Sequence, residues 1–318
     1  MFKFFTTLVF ILIHCFFTPF LMAAETKELD NSKPDHSKSE PQKSGEKIIF
    51  GGSKIGVKVN VQQSTEATFN IAFDKLMAHR GIDLNLHIFE TSQALFEAFN
   101  RGDINAVFAS PLEFLQLEEQ MGETMIAVNY QNAPIKQSFV VLVRKNDVIS
   151  DLKQLKHKRL SLAPLQDVAQ LYLNTLLLDR FEPEIPTFFA DNFESKNANV
   201  AVMDVFFGKS DVAIVRESEF KHAISLNPQV EAQLMVLEKS PPFLSMVGAG
   251  KKTIDEKKFR EVMFSITGVS KTEAGKKLFK VINAEELHLI SRVDLAEVAE
   301  LLNRYKTLNK NKAKTYVE

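Results

Sequence analysis

The segment from residue 92 to residue 115 changes its hydrophobic spacing twice. Its first part places apolar residues at helical spacing up to Gly102, which predicts a helix that ends there. Residues 104–109 then form a compact apolar run of strand length. Ser110 and Pro111 end that strand, and proline is favoured in the first turn of a new helix. The polar turn between strand and second helix leaves backbone N–H groups free for a ligand, above all an anion.

Strand and helix patterns alternate on both sides of this segment. Short strands are predicted around Gly51 and Gly52, and Lys54 to Val59 is the preferred first strand of the sheet. An amphipathic helix over residues 69–80 follows it. The further strands predicted in this half of the chain are residues 84–90, 125–130, 138–143 and 159–163.

The second half of the chain repeats this plan. Helices are predicted over residues 166–180 and 197–207, with a strand at 187–190 between them. Strands at 212–215 and 234–237 follow, and another lies within residues 241–250. The remainder of the chain is predicted to be helical.

Gly102 and Gly208 stand at matching positions in the two halves. Each ends a predicted helix and is followed by three residues and then a strand. Such junctions are common in α/β proteins, but two copies at the same place in the series favour two similar lobes. The sequence therefore predicts an α/β protein with two lobes joined by extended crossings.

The N-terminus resembles a targeting segment. Lys3 precedes a long apolar run that ends in small residues at Ala24, which predicts a cleaved signal peptide over residues 1–24. The run is also long enough for an uncleaved membrane anchor, and Cys15 offers lipidation as a further alternative. Residues 25–47 contain a single large apolar residue, Leu29, so we predict a disordered tether.

Composition and motifs argue against several classes of function. The formal net charge is -1, whereas nucleic-acid binding normally requires a strongly basic surface. The single cysteine lies in the N-terminal apolar segment, which excludes disulfides and thiolate sites from the mature chain. No motif of a hydrolase, a phosphate-binding loop or a zinc protease occurs. We therefore predict no catalytic residues, no cofactor and no metal ion.

Small polar residues recur where predicted strands turn into helices. Such turns, gathered on facing lobes, form a cleft that holds a small polar ligand. Ser64 and Thr65 fit either a helix cap alone or a cap that also binds a ligand. Arg144 and Arg216 fit either a charged ligand contact or a surface ion pair. The candidate ligand-binding residues of these turns are Ser64, Thr65, Thr91, Ser110, Gln166, Asn197 and Arg216.

Four segments resemble the periplasmic substrate-binding proteins of phosphate, phosphite and phosphonate ABC importers. They are IGVKVN, ETSQALFEAFNRGDINAVFASPLEFL, SFVVLVRKNDVISDLKQLKHKRLSLA and AVMDVFFGKSDVAIV, and the resemblance covers residues 54–302. It implies a type II periplasmic-binding fold, with a hinge and a cleft between the lobes. The implied binding domain is residues 48–318, with lobe 1 at about 54–140 plus a C-terminal return and lobe 2 at about 145–240.

The same resemblance implies a function. An exported protein would capture a small polar or anionic solute in the periplasm and present it to an ABC permease in the inner membrane. The alternative is a sensing or adaptor protein of the cell envelope that uses the same fold. The positions that match the binding residues of the family are Ser64, Thr65, Ser110, Ser138, Gln166 and Asn197.

Two segments depart from the family, and one of them is residues 196–198, which read KNA where the family often has His-Asp before the helix of the second lobe. After the crossover strand, the family usually places a hydroxyl-rich cluster that binds phosphonate oxygens, whereas residues 163–167 read APLQD. Asp167 supplies a carboxylate there, and a carboxylate repels a dianion. We therefore predict weak or no phosphonate binding.

Overall fold

A computed structural model of the protein describes residues 47–57, 66–67, 70–71, 73–74, 82–130, 133–181, 184–281 and 284–315. All of them belong to one compact unit, residues 44–318. The predicted signal peptide, the tether up to residue 46, and Ser64 and Thr65 lie outside the described residues. Most of the predicted helix at 69–80 also lies outside them, although the described residues between 66 and 74 are helical.

The first sheet contains six strands among the described residues, in the spatial order β13, β4, β12, β3, β1, β2. β1 pairs in parallel with β2 and β3, whereas β12 and β13 run antiparallel to their neighbours. The strands are β1 (Ile48–Ser53), β2 (Leu84–Phe89), β3 (Ala106–Ala109), β4 (Met121–Tyr130), β12 (Val247–Lys251) and β13 (Ala284–Ile290). The helices linked to this sheet are α1 (Lys54–Val57), α2 (Ser92–Arg101), α3 (Pro111–Leu117), α9 (Glu256–Ser270), α10 (Glu273–Val281) and α11 (Ala296–Thr315).

The second sheet contains five strands within the described part of the chain, in the order β10, β6, β9, β7, β8. β7, β8 and β9 are parallel, and β6 and β10 are antiparallel to their partners. The strands are β6 (Phe139–Arg144), β7 (Arg159–Leu162), β8 (Asp191–Glu194), β9 (Val212–Arg216) and β10 (Leu234–Lys239). The helices are α4 (Asp167–Phe181), α5 (Ile185–Phe188), α6 (Ala198–Phe206), α7 (Glu217–Leu226) and α8 (Gln229–Gln233).

The chain crosses between the sheets through two short strands that pair with each other. They are β5 (Lys136–Gln137) and β11 (Phe243–Leu244), which run antiparallel. Gln137 donates to the Ser245 hydroxyl at 3.2 Å and accepts from Ser218 at 2.6 Å. The extended crossings predicted from the sequence are therefore confirmed.

The predicted first strand at Lys54 to Val59 is wrong over its described part, because residues 54–57 form the short helix α1. The strand lies earlier and runs through Gly51 and Gly52. These glycines do not interrupt the strand. A Cβ on Gly51 would lie 2.2 Å from Ile104 Cδ1, so the glycine is required by close packing. The sequence pattern alone does not distinguish such a glycine from one that ends a strand.

Two other predictions in the second half are also wrong. The strand expected at 187–190 is the helix α5, followed by β8, because Pro186 favours a first helical turn and Phe188 packs against Phe181 and Phe189. The C-terminal part is not entirely helical, because β13 pairs with β4. Its sequence AEELHLI is rich in good helix formers, and tertiary pairing overrides that preference.

Gly102 and Gly208 both adopt the left-handed conformation, with φ of 85° and 74°. In each case the N–H group of the next residue bonds back to a carbonyl of the helix, as in a Schellman motif. The bonds run from Asp103 to Ala98 at 3.0 Å and from Lys209 to Asp204 at 2.8 Å. The structural equivalence predicted for the two glycines is confirmed.

A continuous hydrophobic cluster connects the two sheets. It includes Phe114 next to the first sheet, Val141 in the second, and Leu173 of α4. The C-terminal helix α11 also packs against α4. Among the described residues, no helix has both the length and the apolar character needed to cross a bilayer.

Candidate functional site

Several of the predicted residues lie at the carboxyl ends of parallel strands, where helices begin. Thr91 caps α2 by accepting a hydrogen bond from the Ala94 N–H at 3.2 Å. Asn197 caps α6 by accepting from the Val200 N–H at 2.9 Å. Both side chains are exposed. Their polar atoms have a structural role, and a ligand contact for either one stays a prediction.

Ser110 joins the two sheets. It is fully buried at the end of β3, where its hydroxyl accepts from the Glu113 N–H at 3.2 Å and caps α3. The same hydroxyl donates to Asp167 Oδ2 at 2.5 Å, and Asp167 is the first residue of α4 beyond the second sheet. The turns that follow β3 and β7 therefore face each other and are in contact.

A buried carboxylate supports the Ser110 turn. Glu113 is 3% exposed and accepts from the Ser53 hydroxyl at 2.5 Å and from the Ser110 N–H at 2.8 Å. Ser53 in turn accepts from the Gly56 N–H at 2.9 Å, which links the ends of β1 and β3. Glu113 was not among the predicted residues, although the spacing Ser110-x-x-Glu113 is the signature of a capping box.

A second cluster lies at the end of β9 and brings Arg216 and Gln166 together. Glu219, in the first turn of α7, accepts from Arg216 Nη1 at 2.9 Å and from the Arg216 N–H at 2.9 Å. It also accepts from Gln166 Nε2 at 2.8 Å. Glu219 was not among the predicted residues, and its position three residues after Arg216 at a strand-to-helix turn is the signal that identifies it.

Three polar atoms of this cluster have no hydrogen-bond partner among the described residues. They are Arg216 Nε, Arg216 Nη2 and Gln166 Oε1. The Arg216 side chain is 13% exposed and Gln166 is 3% exposed. Unsatisfied polar atoms at such depth are rare in folded proteins, so each one calls for an explanation.

Tyr130 brings the first sheet close to the Arg216 cluster. It lies at the end of β4, and its hydroxyl contacts Met246 Sδ at 3.6 Å. Burial raises the pKa of Tyr130 well above its ordinary value, while the nearby positive charge of Arg216 acts in the opposite direction. Arg216, in the second sheet, is therefore close enough to interact electrostatically with Tyr130 at the end of a strand in the first sheet.

Ser138 lies at the crossing between the sheets. Its carbonyl accepts from the Glu217 N–H at 2.9 Å, and its side chain borders a surface pocket of about 460 Å³. Gln137 and Ser218 line the same pocket. Ser138 is therefore next to Arg216 along the ladder between β6 and β9, where Arg216 pairs with Phe139.

Arg144 does not belong to the cleft, because other residues hold its guanidinium group. Its Nη1 donates to the carbonyls of Val205 and Ser210, and its Nη2 pairs with Asp147 and Asp211. Burial opposes ionisation of Asp211, but hydrogen bonds from Arg159 and Arg144 outweigh it and hold the pKa of Asp211 at about 2. The alternative of an ion pair is thus the one observed for Arg144. Among the described residues, no three His, Cys, Asp or Glu side chains are grouped to hold a metal ion.

The sequence matches one known protein family over most of its length. A family model described as "ABC transporter, phosphonate, periplasmic substrate-binding protein" matches residues 58–295. The chain belongs to this family. The resemblance drawn from the four sequence segments is therefore confirmed, and the members of this family are substrate-binding proteins rather than enzymes.

Solved structures confirm the fold, whereas no curated protein matches the chain significantly in sequence. A Xanthomonas citri protein bound to ATP has a TM-score of 0.62 and 12% identity, covering 83% of this chain and 98% of its own. PhnD1 from Prochlorococcus marinus, in complex with methylphosphonate, has a TM-score of 0.56 and 16% identity, with coverages of 81% and 98%. A binding-protein component of a phosphonate ABC transporter from Pseudomonas aeruginosa has a TM-score of 0.60 and 11% identity, with coverages of 83% and 88%.

Asp167, which lies in the segment 163–167 discussed above, takes part in the contact between the two sheets. Asp167 is the residue that accepts the hydrogen bond from Ser110. The Ser110 hydroxyl thus donates to a carboxylate of its own chain while it accepts from a backbone N–H. With one proton to donate, it has none left for an oxyanion in this arrangement.

Proposed function

We propose that this protein captures a small polar or anionic solute between two lobes and presents it to an ABC permease, without catalysis. Family membership supports the solute-binding role. The location that we propose for the site rests on one observation, the direct contact of Ser110, after β3, with Asp167, after β7. In open α/β sheets, ligands bind at the carboxyl ends of strands, and here two such ends face each other.

The lobes that we propose are residues about 54–140 with a C-terminal return, and residues about 145–240. Their support is the division of the strands, since β6 to β10 form one sheet, whereas β1 to β4 together with β12 and β13 form the other. The paired crossings β5 and β11 are the proposed hinge. Because both crossings lie side by side, the lobes can rotate about them, and such a rotation would separate Ser110 from Asp167 and shift the packing of α11 on α4.

The polar groups around the cleft support a small charged or strongly polar ligand. Arg216 offers a guanidinium group, and Gln166 offers an amide next to it. Ser138, Thr91 and Asn197 are proposed to contribute at the margins of the cleft, as are Ser64 and Thr65. Family members are periplasmic by description, so we propose the periplasm as the location and an inner-membrane permease as the partner.

Small-angle scattering and thermal denaturation together test the solute-binding role. The panel contains phosphate, methylphosphonate, short sulfonates and the standard amino acids. We expect at least one solute to reduce the radius of gyration and to raise the melting temperature, because ligand binding stabilises the closed, folded state. If no solute in the panel changes either quantity, the proposed function is contradicted.

A matched pair of variants localises the binding to the cleft. Gln166→Ala removes a buried side chain of the cleft, whereas Gln93→Ala removes an exposed one on α2 whose bonding partner is Glu97, four residues along the same helix. We expect the first substitution to weaken the thermal shift and the second to leave it unchanged. Equal responses of the two variants would place the solute elsewhere.

A further inference from the structure

The unsatisfied atoms of Arg216 lie along one edge of its guanidinium group. Nη1 is committed to Glu219, whereas Nε and Nη2 have no partner among the described residues. The N–H bonds of Nε and Nη2 run side by side, so this edge matches the two oxygens of a carboxylate. The geometry therefore favours a planar, bidentate acceptor at this position.

Gln166 presents the complementary requirement. Its Nε2 donates to the Glu219 carboxylate, which can only accept, so the orientation of the amide is determined. Its Oε1 therefore faces away from Glu219, and that acceptor has no donor among the described residues. A ligand that satisfies it must bring an N–H or O–H group.

The charges of the cluster limit the net charge of the ligand. Arg216 contributes one positive formal charge, while Glu219 and the neighbouring Asp167 each contribute one negative formal charge. A phosphonate dianion would add two further negative charges to a site that already has an excess of one. A zwitterion adds no net charge, and its ammonium group is attracted by the two carboxylates.

We propose that the cleft binds a small zwitterionic carboxylate of the amino-acid type. Its carboxylate accepts from Nε and Nη2 of Arg216, and its ammonium group donates to Oε1 of Gln166. The proposal rests on the proposed function, because it names the class of solute that the same cleft captures. It accounts for all three unsatisfied atoms with one ligand.

The test uses isothermal titration of the full chain with the twenty standard amino acids, with methylphosphonate and with short sulfonates. We expect saturable binding of at least one amino acid and much weaker binding of methylphosphonate. The methyl ester of the bound amino acid keeps the ammonium group but loses the carboxylate, so we expect at least a tenfold loss, the effect of about one charge-assisted hydrogen bond. This comparison uses wild-type protein and does not depend on the folding of a variant.

Variants then assign the contact. Arg216→Lys keeps the charge but removes the bidentate edge, and we expect a loss of amino-acid affinity of at least about tenfold. Arg101→Lys is the matched control, because Arg101 is exposed and, within the described part of the chain, its ion pair is with the nearby Asp103. Equal affinity of the two variants would overturn the assignment to Arg216.

The outcomes separate this inference from the proposed function. If methylphosphonate or a sulfonate binds and no amino acid does, the cleft is a solute site and the zwitterion proposal is wrong. If the ester binds as well as the free amino acid, the carboxylate contact is wrong. If nothing binds, including the phosphonates and sulfonates, the proposed function itself fails.

Discussion

Replacing Asp167 with serine tests the effect of its carboxylate on oxyanion binding. The substitution removes the negative charge that accepts the hydrogen bond from Ser110, and it introduces a neutral hydroxyl, which can donate to an oxyanion. We expect Asp167→Ser to bind methylphosphonate much more tightly than the wild-type protein does.

The magnitude follows from the contact between the two turns. Asp167 Oδ2 lies 2.5 Å from the Ser110 hydroxyl, so an oxyanion bound to Ser110 would lie roughly 4 Å from the carboxylate. Two unit charges at about 4 Å repel by about 1 kcal/mol in water and about 4 kcal/mol at an effective dielectric constant of about 20. Asp167 is half-buried, so about 2 kcal/mol per charge is appropriate. Removing the carboxylate would then improve the binding free energy of a dianion by about 4 kcal/mol. The substitution also alters the contact between the sheets, which offsets part of this gain, so we expect methylphosphonate to bind at least about a hundredfold more tightly.

The assay is titration calorimetry of both proteins with methylphosphonate at two ionic strengths. The gain should shrink with added salt, because the effect is electrostatic. Asp191→Asn is the control, since it removes an exposed carboxylate at the opposite end of the second sheet. An unchanged affinity in Asp167→Ser, or an equal gain in both variants, would refute the reasoning.

Further predictions concern stability, and chemical denaturation measures each of them. The pKa of Asp211 is lowered to about 2 in the folded protein, so its pairing with Arg159 stabilises the folded state at pH values above the ordinary carboxyl pKa. That contribution is lost as the pH falls from about 4 to about 2, and Asp211→Asn should flatten this part of the plot of stability against pH. Gly102→Ala should cost about 1 kcal/mol because φ is 85°, whereas Gly268→Ala, in helix α9 with open space around its Cβ position, should not destabilise. Glu256→Ala should cost about 1–2 kcal/mol, since its carboxylate accepts two backbone N–H groups and a hydroxyl of β4. The prediction for the glycines is wrong if their two variants are equally stable. The prediction for Asp211 is wrong if Asp211→Asn leaves the pH profile unchanged, and the prediction for Glu256 is wrong if Glu256→Ala is as stable as the wild-type protein.

Local signals in the sequence predicted the alternation of strands and helices well. Gly102 and Gly208 end helices in the left-handed conformation, and Ser110 caps the helix that Pro111 begins. These features depend on neighbours within a few residues, so a sequence pattern contains them. β13 was missed for the opposite reason, because its conformation depends on pairing with β4, more than a hundred residues earlier.

The site was only partly predictable. Gln166 and Arg216 were recognised as polar residues at strand ends, but their common partner Glu219 was not. The contact of Ser110 with Asp167 joins residues 57 positions apart, and no local pattern reports such a distance. Sequence spacing indicates which residues reach the carboxyl edge of a sheet, whereas their pairing depends on how the two sheets are set against each other.

The position of β12 has a consequence for the order in which the protein is completed during synthesis. This strand lies between β3 and β4 in the first sheet, yet the ribosome makes it only after all five strands of the second. Until Val247 and the residues after it emerge, β3 has one unpaired edge and β4 has two, because β13 also comes later, and such edges are prone to pair with other chains. The lobe that begins first along the chain is thus the last to close its sheet, and a chain that stops before Val247 leaves one edge of β3 and both edges of β4 open.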